Sequence, residues 1–210
     1  MLYLDFDGVL HPEDVRRRAG RGPYIASPSG HALFEHAPLL AGVLRPYPDI
    51  RIVLSTSWVR WYRSVHRVAR KLPPELSTRV VGATYHEDMD EESFRQAPRG
   101  MQVWADVLRR KAAGWLALDD DYLHWPTWCR EQLVRTDEVL GISAPHVLEE
   151  LKTKLLLLLN RRPSDRDLFG RRRSVARIPN LQVELPGKGR TDTHRRTAMC
   201  TRDQAILGHR

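Results

Sequence analysis

Leu2-Tyr3-Leu4-Asp5-Phe6-Asp7-Gly8-Val9-Leu10 decides the fold. A short apolar run that ends in acid-x-acid-Gly reads as a buried strand entering a turn. Two later stretches repeat the pattern of apolar run and polar end. Ile50 to Leu54 ends in Ser55-Thr56-Ser57, and Trp115 to Leu118 ends in Asp119-Asp120-Asp121. Val80-Val81 and Gln132 to Arg135 read as shorter strands. Between them, Ala32 to Leu44, Trp58 to Leu72, Gly100 to Ala112 and Pro145 to Leu159 carry apolar residues at helical spacing. Residues 11 to 30, rich in Arg, Gly, Pro and Ser, read as a loop, and residues 86 to 93 as an acidic surface segment. Strand-like runs alternating with helices predict an α/β fold, with a central parallel sheet covered on both faces. There is no internal repeat.

In an open parallel sheet the strand C-termini share one edge, and ligands bind in the crevice there. Asp5/Asp7, Ser55/Thr56 and Asp119/Asp120 should therefore converge, although more than a hundred residues separate the first from the last. Several carboxylates in one crevice repel one another, and a divalent cation relieves that repulsion. Magnesium suits such a site, because it takes one or two protein carboxylates and keeps positions for water and phosphate. A carboxylate can also act as a nucleophile toward phosphorus, and a second carboxyl nearby can shuttle the proton. A hydroxyl and a cation at neighbouring strand ends can hold the phosphoryl oxygens.

These motifs resemble the signatures of the haloacid-dehalogenase-like (HAD-like) hydrolase superfamily. Asp5-Phe6-Asp7-Gly8-Val9-Leu10 resembles the first, Ile52-Val53-Leu54-Ser55 the second, and Leu116-Ala117-Leu118-Asp119-Asp120 the fourth. The third is a lone basic residue, for which Arg99 is the choice and Lys111 the alternative. Within the superfamily, Asp-Gly-Val-Leu, Leu-Ser-Thr-Ser-Trp-Val-Arg and Leu-Asp-Asp-Asp are similar to the small domain group found in bacterial RNA-repair proteins. The resemblance covers roughly Met1 to Leu159. It implies a Rossmann-like three-layer fold and a Mg2+-dependent phosphomonoester hydrolase working through an aspartyl-phosphate. Asp5 would be the nucleophile and Asp7 the acid/base, with the Asp7 backbone carbonyl on the metal. Ser55 and Thr56 would contact the phosphoryl group and Arg99 would balance its charge. Asp119 and Asp120 would complete the metal site with Asp5, the contribution of Asp121 being open. An acid at position 7 favours phosphoryl transfer over dehalogenation.

About 45 residues separate Asp7 from Ser55, and a similar number separate Ser55 from Arg99. Neither gap suits a large cap domain, so the expected site is open, with little or no cap. An open site suits phosphate on a macromolecule or a nucleic-acid end. His11 and His124 lie near the signatures but read as ordinary residues. Trp104 and Trp115 read as core, while Trp58 and Trp125 fall nearer the crevice, where an aromatic ring could stack on substrate.

The net charge of +8 is unevenly spread. Residues 160 to 210 hold 13 Lys+Arg against 5 Asp+Glu, whereas the residues before them hold 21 of each. The predicted organisation is a hydrolase domain over residues 1–159 and a basic, Arg-rich, flexible tail over 160–210, with a short hairpin near Ile178 to Leu185. Such a tail attracts acidic partners. A second reading follows: an idle HAD-like accessory domain whose tail binds nucleic acid, or one that works beside RNA-repair partner proteins. No stretch approaches the roughly 18 apolar residues of a membrane span, and no secretory signal opens the chain. Cys129 and Cys200 lack metal-type spacing and read as reduced thiols, so the expected location is the cytoplasm.

Overall fold

The computed structural model describes residues 1–18 and 20–160. The basic tail, and the hairpin expected near Ile178 to Leu185, lie outside the described residues.

Five parallel strands form the central sheet, in the order β5-β4-β1-β6-β7. They are β1 (Leu2–Leu4), β4 (Ile52–Leu54), β5 (Val80–Ala83), β6 (Leu116–Asp119) and β7 (Leu133–Arg135). Side chains alternate across a strand, so a run that is apolar throughout needs cover on both faces. Leu2, Leu4, Ile52, Leu54, Leu116 and Leu118 face one core. That core is closed by α1 (Ala37–Leu44), α2 (Trp58–Tyr62), α3 (Val65–Ala69), α4 (Pro74–Ser77) and α7 (Pro145–Asn160). Tyr3, Val53 and Ala117 face the other, closed by α6 (Arg99–Arg110) and a 3-10 helix at Thr127–Gln132. The result is the expected three-layer Rossmann-like fold.

Register aligns the polar ends. Leu4 sits opposite Leu54 on one side and Leu118 on the other. One residue further, Asp5, Ser55 and Asp119 therefore stand side by side at the sheet's C-terminal edge. After β1 the chain passes to the α1 face, and after β6 it passes to the other. The β1/β6 boundary is thus a topological switch point, where α/β sheets open a crevice.

Three local expectations change. Residues 11–30 are not all loop: β2 (Asp14–Arg18) and β3 (Gly22–Ser27) pair antiparallel as a separate hairpin. Val15 pairs with Ile25 across it, and Val15 packs on the main core. The helix expected from Ala32 begins at Ala37, because Pro38 has no N–H to continue a helix from before it. The helix expected over Trp58 to Leu72 divides at Arg63, whose φ is +47°, and Ser64 starts α3 by accepting from the Arg67 N–H at 3.3 Å. In the acidic segment, Asp90 caps a short exposed helix, α5 (Glu91–Gln96).

The loop after β7 is held by close approach. Gly141 has φ +54°, and a Cβ there would lie 2.2 Å from the Val9 carbonyl oxygen, which accepts from the Ile142 N–H at 3.0 Å. Gly42 in α1 meets nothing within 4 Å. We expect Gly141→Ala to destabilise the fold by about 2–4 kcal/mol through strain and overpacking. Gly42→Ala should instead stabilise it by about 0.5 kcal/mol. Urea unfolding midpoints at unchanged slope measure both.

Candidate active site

Asp5 leaves β1 into a cleft of about 400 Å³ whose lining includes Asp7, Glu13, Arg99, Asp120 and Glu138. A larger cavity of about 740 Å³ lies near Pro38, Arg51 and Arg79, at the start of β4 and β5. That is the opposite edge of the sheet, away from the carboxylates.

Asp5 is buried. Its Oδ1 accepts from the Phe6 N–H at 2.7 Å and its Oδ2 from Arg99 Nη2 at 2.9 Å. Arg99 also donates to the Ser55 carbonyl, and its Nε lies 3.3 Å from Asp119 Oδ2. That last contact is ionic only, since neither atom makes a hydrogen bond. Pro98 begins α6 just before Arg99, and a Cβ at Gly100 would meet Trp125 at 2.8 Å, so the head of the helix is seated tightly. Lys111 sits at the far end of α6 as its C-cap. Of the two basic candidates, Arg99 is the one among the carboxylates.

Asp7 is engaged differently. Trp58 Nε1 donates to its two oxygens at 2.9 and 3.1 Å, and His11 Nε2 lies 3.1 Å from Oδ1. The Phe34 N–H donates to His11 Nδ1, so the proton of the neutral ring resides on Nε2 and points at Asp7. His11 reads as ordinary in the sequence, and Trp58 reads only as a residue near the crevice. Both are fully buried, and both orient Asp7. Trp125 is buried too, donating to the Asp121 carbonyl at 2.6 Å, so neither crevice indole offers a face to a ligand. No local pattern marks the Trp58 contact, because 51 residues separate Trp58 from Asp7, whereas His11 lies only four residues after it.

Asp5, Asp119 and Asp120 each present a ligand atom, all within 4.8 Å of one another. The Asp7 carboxylate is not in this group, and Asp121 is exposed, its Oδ1 accepting from the Leu123 N–H at 3.0 Å. Asp120 reaches the group because Gly8 has no side chain: a Cβ there would lie 2.4 Å from Asp120 Oδ2, and φ at Gly8 is +66°.

Burial pushes the Asp5 carboxyl up, with Arg99 opposing and Asp7 adding repulsion. Burial pushes Asp119 well above the ordinary value in the same way. Asp120 is pushed up to about 7, by burial first and by Asp5 second. Burial opposes the Arg99 charge, yet the flanking Asp5 and Asp119 hold its guanidinium protonated above the usual arginine value. One guanidinium cannot neutralise three converging carboxylates. Asp119 Oδ2 and Ser55 Oγ are buried without a hydrogen-bond partner among the described residues. Hard oxygen donors in this number fit a magnesium ion, and the orphaned hydroxyl is suited to an anion's oxygen. Thr56, beside it, is buried with Oγ1 turned to the Trp58 N–H at 3.3 Å.

A three-layer fold with acid-x-acid after the central strand, a hydroxyl on one neighbouring strand and paired acids on the other defines a HAD-like domain of hydrolase type. Residues 1–147 match the family model described as "HAD domain in Swiss Army Knife RNA repair proteins", and the chain belongs to that family. No curated protein matches the chain, and no solved structure does. Among the described residues, no helix is long and apolar enough to cross a membrane.

The raised carboxyls have a thermodynamic signature. An unfolded aspartate ionises near ~3.9, whereas Asp120 in the fold holds its proton to about 7. The metal-free fold binds more protons across that interval, so this part of its stability falls as pH rises from about 4 to about 7. A divalent cation needs the ionised carboxylates and offsets the loss. We expect the rise in Tm on adding Mg2+ to be larger at pH 8 than at pH 5.5. An equal rise at both would show that the cation binds elsewhere.

Proposed function

We infer that this chain is a Mg2+-dependent phosphomonoester hydrolase acting through an aspartyl-phosphate on Asp5, with a macromolecular or nucleic-acid-end phosphate as substrate. The observation that carries the reading is the buried group of Asp5, Asp119 and Asp120 beside Arg99 and the unpartnered Ser55 hydroxyl. The family's description as a domain of RNA-repair proteins supports the substrate class.

In the first step an Asp5 carboxylate oxygen attacks phosphorus, and the bond from phosphorus to the ester oxygen breaks. Asp7, in its protonated form, gives its proton to that leaving oxygen. In the second step water attacks phosphorus, Asp7 takes the water's proton, and the Asp5–phosphorus bond breaks, restoring the Asp5 carboxylate and the protonated Asp7 carboxyl. Trp58 and His11 hold Asp7 in place through both steps. Ser55 Oγ and the Arg99 guanidinium bind phosphoryl oxygens, with Thr56 in support. Magnesium, held by Asp5, Asp119, Asp120 and the Asp7 carbonyl, would neutralise the charge on the transferring group. The nucleophile must be ionised, so the pressure of burial on Asp5 ties activity to Arg99 and the cation.

Magnesium-dependent release of phosphate from an aryl phosphate tests the reading. The wild type should be active, and Asp5→Asn should lose at least about 10³-fold in kcat, because it removes the nucleophile. Equal activity in both proteins would overturn the role of Asp5. Inactivity of both toward aryl phosphate and phosphorylated oligonucleotides would favour the idle accessory domain.

A further inference from the structure

The cleft accounts for one phosphate, yet an unusual concentration of unpaired positive charge lies beside it. The β2–β3 hairpin carries Arg16, Arg17, Arg18 and Arg21 against the single acid Asp14. The stretch Trp58 to Lys71, spanning α2 and α3, carries five Lys+Arg and no acid. Arg16 pairs with Asp14, and Arg60 lies 3.9 Å from Glu91. Among the described residues, Arg17, Arg18, Arg21, Arg63, Arg67 and Arg70 have no ion-pair partner, and all six are exposed.

The two segments form one surface. Val15 and Arg17 point toward the body of the domain, and the Arg17 guanidinium lies 5.4 Å from the centre of the Trp61 ring. Arg16, Arg18 and Tyr24 point outward, with Arg18 5.0 Å from the Tyr24 ring centre. Lys71 lies 4.5 Å from the Tyr62 ring centre. A cation held over a ring is attracted by the ring's electrons and so kept in place. This surface connects to the cleft: Trp61 stacks on Trp58 at 5.8 Å, Trp58 donates to Asp7, and Glu13, just before β2, lines the cleft.

We propose that the outer hairpin and the α2–α3 face form a docking surface for a single-stranded nucleic acid, leading its terminal phosphate to Asp5. The proposal rests on the phosphatase reading for its catalytic end. Charge complementarity selects the occupant. A phosphopeptide offers one phosphate to a cleft that already has Arg99 and Ser55 for it. A strand offers a regular series of phosphates to the spaced cations, the electrostatic tracking of the backbone that single-strand binders use.

The test measures binding of the full chain to a fluorescent single-stranded RNA of roughly 12 nucleotides with a terminal phosphate, a length within the usual site size. Arg17→Glu with Arg18→Glu should weaken binding at least about 10-fold and flatten the salt dependence by about 1.4 in log–log slope, two phosphate contacts' worth. Arg45→Glu with Arg51→Glu makes the same change in net charge at the opposite edge of the sheet, and should change affinity less than about 2-fold. Equal weakening by both pairs would assign binding to net charge or the tail and overturn the proposal. So would no weakening by the hairpin pair.

Aryl phosphate hydrolysis separates the two ideas. The hairpin pair should leave it unchanged while raising KM for the phosphorylated RNA about 10-fold at similar kcat, as loss of remote binding does. RNA binding that depends on Arg17 and Arg18 in a wild type without phosphatase activity would sink the catalytic reading and retain the surface. Slower phosphopeptide hydrolysis in the hairpin pair, with RNA binding untouched, would overturn the surface in favour of a protein substrate.

Discussion

Arg99 stands between Asp5 and Asp119, two buried carboxylates on adjacent strands of one sheet. Burying a charge without a partner costs several kcal/mol, and even a well-paired buried ion pair gains little over apolar packing. The arrangement therefore reflects a use for the charges rather than a means of stabilising the core. It also makes the site depend on the second layer of the fold. Arg99 reaches the carboxylates only because α6 begins where it does, between Pro98 and the tight seat of Gly100 on Trp125. Further along α6 the Tyr3 hydroxyl donates to buried Asp106 at 3.0 Å, and Arg109 and Arg110 complete that carboxylate's shell. Tyr3 and Asp5 are alternate residues of one strand and its extension. The same strand thus docks the helix and receives its arginine.

The two acids that open the motif have separate surroundings two residues apart. Asp5 meets a fixed cation, while Asp7 meets two neutral N–H donors from Trp58 and His11. The cation opposes the burial that pushes the Asp5 carboxyl up. Neutral donors orient a carboxyl without supplying a full positive charge. The proposed nucleophile and proton carrier would need different surroundings, and the difference comes from which elements crowd each residue rather than from the motif itself.

The sheet was legible in the sequence because its strands are apolar on both faces. Leu2 to Leu4, Ile52 to Leu54 and Leu116 to Leu118 admit no other comfortable place, and their polar ends mark one edge. The hairpin was not legible. Asp-Val-Arg-Arg-Arg has no alternation, since its inward position 17 is an arginine laid on Trp61 rather than an aliphatic residue. The break at Arg63 was hidden because its sequence neighbours continue the helical period and only the Ser64 cap argues otherwise. The Trp58 donor to Asp7 was hidden for another reason: a hydrogen bond between residues 7 and 58 belongs to the tertiary fold and leaves no local trace, whereas His11 stands only four residues from Asp7. Asp119 and Asp120 could be grouped from the sequence, but separating them from Asp121 needed the Gly8 contact.

The segment between the first two motifs spends its length on the β2–β3 hairpin and α1. A hairpin spanning only Asp14–Ser27 is too small to enclose a cleft of about 400 Å³ and exclude solvent from a substrate's remote parts. Among the described residues no element encloses the cleft, and on the proposed function discrimination beyond the phosphate would come from the surface around the opening. That surface is polarised. Glu13, Glu138 and Asp121 rim the cleft itself, while the hairpin and α2–α3 hold the arginines. The neutral sum of charges before residue 160 conceals this local separation of sign. An acidic mouth repels an isolated anion unless a cation is seated in it, and a basic flank holds a polyanion nearby long enough for its end to enter. On the proposed function, the basic flank favours a substrate that brings many charges over one that brings a single phosphate.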